Sequence, residues 1–223
     1  MNDGDSRDET EVAVFSLLER SLDRLGIPPD SDRTSQLTGL VSLLSHWAQR
    51  INLTGHRDPL EMTSRLVLDA VALSTALPEL AGLSSLADLG SGAGFPGLPI
   101  AILHPHLDVH LVESRLKRNH FQREARRKLA LSKVHPILGR SNEIEPIHCD
   151  VVIAQAMAQP EQAFEWMIPW ARPGGLVVLP ASAGTAAPRT PGSVESLDER
   201  SYVVPEVEIE RTLWVAHLRD GQG

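Results

Sequence analysis

The chain predicts an α/β fold in which a mainly parallel sheet carries helices on both faces, with a helical extension ahead of it. Three observations predict it. From residue 85 onward, short apolar runs alternate with amphipathic helical stretches, the pattern of strand–helix–strand units. The first of those runs ends in a dense glycine block, Ala87–Pro99 (ADLGSGAGFPGLP), as when a buried strand stops, turns tightly and feeds a helix. Ahead of it, the periodicity is helical alone.

Residues 1–10 are acidic and polar and predict a disordered tail; residues 11–80 form the helical extension; residues 81–223 form the α/β domain. In the extension, Val14, Leu17, Leu18, Leu22 and Leu25 make one stripe, stopped by Gly26 and Pro28-Pro29. Leu37, Leu40, Val41, Leu44, Trp47 and Ala48 make a second, and Leu66, Leu68, Val71, Ala72 and Leu77 a third, stopped by Pro78. Strands are expected at Ser85–Leu89, Val109–Glu113, Val134–Leu138, Asp150–Ala154 and Leu176–Leu179. Helices are expected at Leu98–Leu103, Arg115–Leu131 and Glu161–Trp170. A loop rich in Ala, Ser, Gly and Pro follows Pro180, and Tyr202–Val207 with Arg211–Leu218 reads as a closing antiparallel hairpin. Trp166, Trp170 and Trp214 read as packing residues.

In an open α/β sheet, ligands bind beyond the carboxyl ends of the strands, so the glycine block marks a cofactor site. Two spacings compete there. Gly92-x-Gly94-x-x-Gly97, with Glu113 about twenty residues on, satisfies a dinucleotide fingerprint. Asp88-x-Gly90-x-Gly92-x-Gly94 instead fits a loop closing on S-adenosylmethionine, with Glu113 accepting from the ribose hydroxyls. Asp88 favours the second, because a carboxylate repels a pyrophosphate and suits a sulfonium and an ammonium. Pro96 and Pro99 also fit a short opening turn better than a long phosphate-binding helix.

Composition narrows the function classes. The single cysteine, Cys149, leaves no disulfide framework and no thiolate metal cluster, and His104-Pro-His106 reads as a turn rather than a metal site. With no signal-like N-terminus and no apolar run near the ~20 residues a bilayer needs, a cytoplasmic protein without a membrane partner is expected. The net charge of -8 argues against indiscriminate nucleic-acid binding. One segment runs against that balance: Arg115, Lys117, Arg118, Arg123, Arg126, Arg127 and Lys128 crowd a helix whose Phe121, Ala125 and Leu129 form a packing stripe. It reads either as a solvated face or as an RNA contact.

Trp47, Asn52-Leu53-Thr54, Arg65-x-x-x-Asp69, the block Asp88–Gly97 and Glu113-Ser-x-x-Lys117-Arg118 together resemble the small-subunit ribosomal RNA methyltransferase G family, also called the glucose-inhibited division protein B family. The resemblance runs from about residue 37 to 179. It implies a seven-stranded class I methyltransferase (Rossmann-like) sheet and transfer of a methyl group from S-adenosylmethionine to N7 of a guanine in 16S rRNA or a small-subunit precursor. By resemblance, Gly90 and Phe95 contact the cofactor, Glu113 holds its ribose, and Ser141 and Asn142 edge its adenine. Gln155 stands where the family has an arginine reaching toward cofactor and substrate. Together with Asp88, Gly92 and Gly94 these form the expected cofactor site, while Arg65, Lys117, Arg118, Arg123, Arg126 and Arg127 form the expected RNA contacts. No catalytic acid or base is expected, because guanine N7 has no proton to lose.

Three segments depart from the family pattern: Leu66 for a histidine, Ala154-Gln155-Ala156 for Ser-Arg-Ala, and Pro180-Ala181 for Lys-Gly. Each removes a cationic or titratable group from the expected substrate rim. A cofactor-binding relative that no longer methylates RNA is therefore the alternative, and a nicotinamide-binding protein a weaker one.

Overall fold

A computed structural model describes residues 3–155 and 159–220. Ala156, which closes the Ala154-Gln155-Ala156 segment, lies outside them. The first helix, α1 (Asp3–Arg24), starts inside the stretch expected to be a disordered tail. Acidic residues in a first helical turn oppose the positive end of the helix dipole, so the same acids that suggested a tail favour a helix start. Gly26 (φ +73°) ends that segment. Asp30 then caps α2 (Ser31–Ala48), its carboxylate accepting from the Asp32 and Arg33 amides at 3.0 and 3.1 Å.

The third helical stretch is built in three parts: α3 (Pro59–Met62), a π-helical turn over Thr63–Val67, and α4 (Leu68–Thr75). A π turn inserts an extra residue into the helical ladder and re-aims the side chains around it, a distortion found frequently at functional sites. Arg65 and Leu66 sit in it.

The domain proper holds seven strands: β1 (Ser85–Leu89), β2 (Asp108–Glu113), β3 (Val134–Leu138), β4 (Cys149–Ala154), β5 (Ala171–Ser182), β6 (Val194–Val204) and β7 (Ile209–Leu218). Their spatial order is β3-β2-β1-β4-β5-β7-β6. The first five run parallel; β7 is antiparallel to both β5 and β6. The expected closing hairpin is therefore present, with β6 starting earlier than Tyr202 and β7 inserted between β5 and β6.

Helices α5 (Gly97–Leu103) and α6 (Leu116–Lys128) pack with the extension on one face of the sheet, around Leu37, Leu40, Leu98 and Phe121. On the other face, α7 (Pro160–Met167) and a 3₁₀ turn lay Phe164, Met167 and Trp170 against β4 and β5. The α6 stripe behaves as its spacing predicts, with Phe121 and Ala125 fully buried and Trp47 meeting Phe121 edge-on at 5.8 Å. Trp170 and Trp214 are buried as expected, whereas Trp166 is half-buried. Because the chain leaves β1 toward one neighbour and returns through β4 on the other side, the sheet's switch point lies between β1 and β4, where a crevice opens.

Candidate active site

That crevice holds a cavity of about 530 Å³. Its walls come from five places. The glycine loop contributes Gly90, Ser91, Gly92, Ala93 and Phe95; the segment between α2 and α3 contributes Leu53, Thr54 and His56. The π turn and α4 add Arg65, Leu66 and Asp69; Gln155 follows β4, and the β6–β7 hairpin adds Val204, Val207, Ile209 and Arg211.

The loop adopts the conformation its glycines imply. Gly90, Gly92 and Gly94 have φ of +67°, +58° and +83°. At Gly90 the bare backbone faces the cavity. Gly97 serves a different end: a Cβ there would run into Leu111 and stand 2.9 Å from Asp88 Oδ2, so only glycine lets α5 start this close to the sheet.

Asp88 lies beneath the loop rather than in the cavity. It is 1% exposed, and its Oδ2 accepts from the Gly97 amide at 2.9 Å. Its Oδ1 is buried with no hydrogen-bond partner among the described residues. Burial first, and the nearby Glu113 charge second, push its carboxyl up to about 7 against the pull of the Gly97 amide. The Gly97 amide at the start of α5, where a dinucleotide would place its pyrophosphate, is thus already held by a carboxylate. That donor set does not fit a nicotinamide dinucleotide.

The raised pKa has a consequence for stability. The folded state holds the Asp88 proton more tightly than the unfolded chain, so this contribution is complete below the ordinary carboxylate pKa and is lost as pH rises through about 7. Between pH 6 and 8 the loss amounts to about 1 kcal/mol. Paired urea titrations of the wild type and Asp88→Asn should show the wild type falling across this range and the variant falling less; parallel pH profiles would contradict this reading of Asp88.

Glu113 closes the loop from behind. It is 4% exposed; Oε2 accepts from the Gly92 amide at 2.9 Å and Oε1 from the Arg115 amide at 2.7 Å. Arg118 Nη1 lies 3.7 Å from Oε2, so this arginine belongs to the glycine loop rather than to the exposed basic face expected of it. The other basic residues named for RNA do face solvent: Lys117, Arg123, Arg126 and Arg127 are all exposed or half-buried at the surface, and Arg65 reaches the cavity wall. Leu116 and Leu138 are exposed apolar side chains close to the Glu113 end of β2. The Ser141 carbonyl accepts from Trp170 Nε1 at 2.9 Å, Asn142 is exposed, and neither residue lines the cavity.

Gln155 does line it, and it belongs to a network that sequence reasoning missed. Asp69, 6% exposed, accepts from Tyr202 Oη at 2.9 Å through Oδ1. Its Oδ2 accepts from Arg211 Nη2 at 3.2 Å and Gln155 Nε2 at 3.4 Å. Burial and the Asp69 charge push the Tyr202 hydroxyl upward, so it remains a donor. A signal for Asp69 was present: it is an acid within the apolar run Leu66–Leu73, where a charge needs a buried partner. Tyr202 and Arg211 gave none, since alternation fixes a strand but not what its residues face.

His104 and His106 are hydrogen-bonded parts of a turn, to Ser74 Oγ at 2.8 Å and the Leu80 carbonyl at 3.0 Å. Burial first, then the neighbouring His106, push His104 down to about 4. Among the described residues no group of three His, Cys, Asp or Glu side chains is placed to hold a metal, and no helix is long and apolar enough to cross a membrane.

Comparison with known proteins agrees with this geometry. The family model for rRNA small subunit methyltransferase G matches residues 33–185. Ribosomal RNA small subunit methyltransferase G of Chromohalobacter salexigens is 32% identical over 203 residues, covering 90% of this chain and 96% of the relative. That of Aeromonas hydrophila is 32% identical over 214 residues, covering 94% and 98%. Among solved structures, an O-methyltransferase from Bacillus cereus in complex with SAH superposes with a TM-score of 0.58 at 16% identity, over 90% of this chain and 97% of that one. A mutant of MtNAS in complex with S-adenosylmethionine gives 0.55 at 17%, over 92% and 77%. These two likenesses show the class I methyltransferase fold, and the matches over nearly the full length of the curated relatives show more: the chain belongs to the rRNA small subunit methyltransferase G family.

Proposed function

We propose that the protein transfers a methyl group from S-adenosylmethionine to N7 of a guanine in 16S rRNA, acting on the small subunit or its precursor in the cytoplasm. One observation carries the reading: the crevice at the β1/β4 switch point joins a bare glycine loop on one wall to two arginines, Arg65 and Arg211, on the others. The loop suits a cofactor pressed close to backbone, and the arginines suit an RNA base or its phosphates. Glu113 accepts from the Gly92 and Arg115 amides and, at 3.4 Å, from Ser114 Oγ, which leaves Oε2 a lone pair for a ribose hydroxyl.

When bound, the cofactor supplies an electrophilic methyl on a sulfonium. The N7 lone pair forms the new N–C bond as the C–S bond breaks, and the positive charge passes from sulfur to the guanine ring. No proton moves. The chain therefore needs no general acid or base; its part is to hold donor and acceptor in line and exclude water. The outer face of α6, with Lys117 in its first turn and Arg123, Arg126 and Arg127 toward its C-terminal end, supplies phosphate contacts along the helix leading away from the mouth.

The alternative, a relative that binds cofactor without methylating RNA, draws on Leu66, Gln155 and Pro180-Ala181. Arg211 weakens it, because a cation stands beside Gln155 at the same carboxylate. The test is transfer of a labelled methyl group from S-adenosylmethionine to unmodified 30S subunits or free 16S rRNA. Label in 7-methylguanosine supports the proposal. No label in either substrate, with cofactor bound, would favour the alternative.

A further inference from the structure

Arg211 has more donors than its protein partners use. Nη2 is spent on Asp69 at 3.2 Å, Nε is buried with no hydrogen-bond partner among the described residues, and the side chain is 28% exposed on the cavity wall. The strand that carries it lies beyond residue 185, where the family match ends. Asp69 in turn is held by Tyr202 through its other oxygen, which fixes the carboxylate that Arg211 meets on the cavity wall.

We propose that Arg211, positioned by Asp69 and Tyr202, determines base specificity by donating a hydrogen bond to O6 of the guanine. This rests on the reading of the substrate as guanine in rRNA. The edge that carries N7 offers two acceptors in guanine, N7 and O6, whereas adenine offers N7 beside an amino donor. N7 must stay free to take the methyl group, so O6 is the acceptor left for recognition. A donor facing position 6 accepts guanine and opposes adenine. The Asp69 partner matters for a second reason. The ring becomes positively charged as the methyl arrives, and a lone arginine would repel it, whereas an Arg211–Asp69 pair offers the donor without the net charge. Tyr202 and Asp69 are positioning residues; Arg211 is the group that touches substrate.

The experiment uses 16S rRNA ligated to carry either guanosine or 2,6-diaminopurine riboside at the methylated position, reconstituted into 30S subunits. The diaminopurine keeps N7 but replaces O6 by an amino group. Wild-type protein should methylate the guanosine substrate at least about tenfold faster. Arg211→Met should lose most of that ratio while binding S-adenosylhomocysteine with unchanged affinity by calorimetry. Tyr202→Phe, which removes one hydroxyl and little else, should lose part of it and decides the matter alone if Arg211→Met fails to fold. A ratio unchanged in the variants, or a wild type indifferent to position 6, overturns the proposal. A wild type that methylates neither substrate overturns the functional reading, and this proposal with it.

Discussion

Gly90→Val is expected to abolish cofactor binding while leaving the fold intact. Gly90 sits at φ +67° at the end of β1, with its backbone open to the cavity. A β-branched residue in that conformation costs roughly 1–3 kcal/mol of backbone strain. Its two γ-methyls would also stand where the cofactor must approach. That strain weighs on free and bound protein alike and lowers stability, whereas the filled space should take calorimetric binding of S-adenosylhomocysteine below detection. Gly192→Ala is the control, since a Cβ there meets nothing within 4 Å. An affinity within about threefold of wild type in Gly90→Val, a difference under 1 kcal/mol, would place the cofactor away from the glycine loop.

The second large effect concerns RNA. Arg123→Ala, Arg126→Ala and Arg127→Ala together strip the outer face of α6 of three charges near its C-terminal end. Removing one phosphate partner lowers the magnitude of the salt dependence by nearly one, so the slope of log affinity against log salt should fall by roughly 2–3. Binding should weaken most at low salt, and methylation should show it as a raised KM. Cofactor affinity should hold, because the loop's own arginine, Arg118, is untouched. A triple variant with wild-type methylation and an unchanged slope would make this face a solvated surface, and the RNA would dock elsewhere.

The element order and the glycine loop were legible in the sequence because each rests on a local rule. An apolar run ending in Asp88-Leu-Gly fixes a strand and a turn, and Phe121, Ala125 and Leu129 fix which face of α6 packs. What depends on distant partners was not legible. Asp88 was read as a charge facing the cofactor, yet the Gly97 amide draws it under the loop. Arg118 looked like one more basic residue on an exposed helix, yet Glu113, at the end of the preceding strand, holds it at the glycine loop. The substrate rim looked stripped of charge at Gln155, while the cation beside it arrives on β7, across the sheet from the glycine block. The π turn that places Arg65 on the cavity wall has no signature in a helical stripe.

The central claim is that this chain methylates guanine N7 in 16S rRNA, and it is tested most directly in cells. Mapping 7-methylguanosine along 16S rRNA from a strain carrying the gene and from its deletion should reveal one site present in the first and absent in the second. Restoring the gene should restore the site, and restoring Gly90→Val should not. Identical 7-methylguanosine profiles in the two strains would contradict the account.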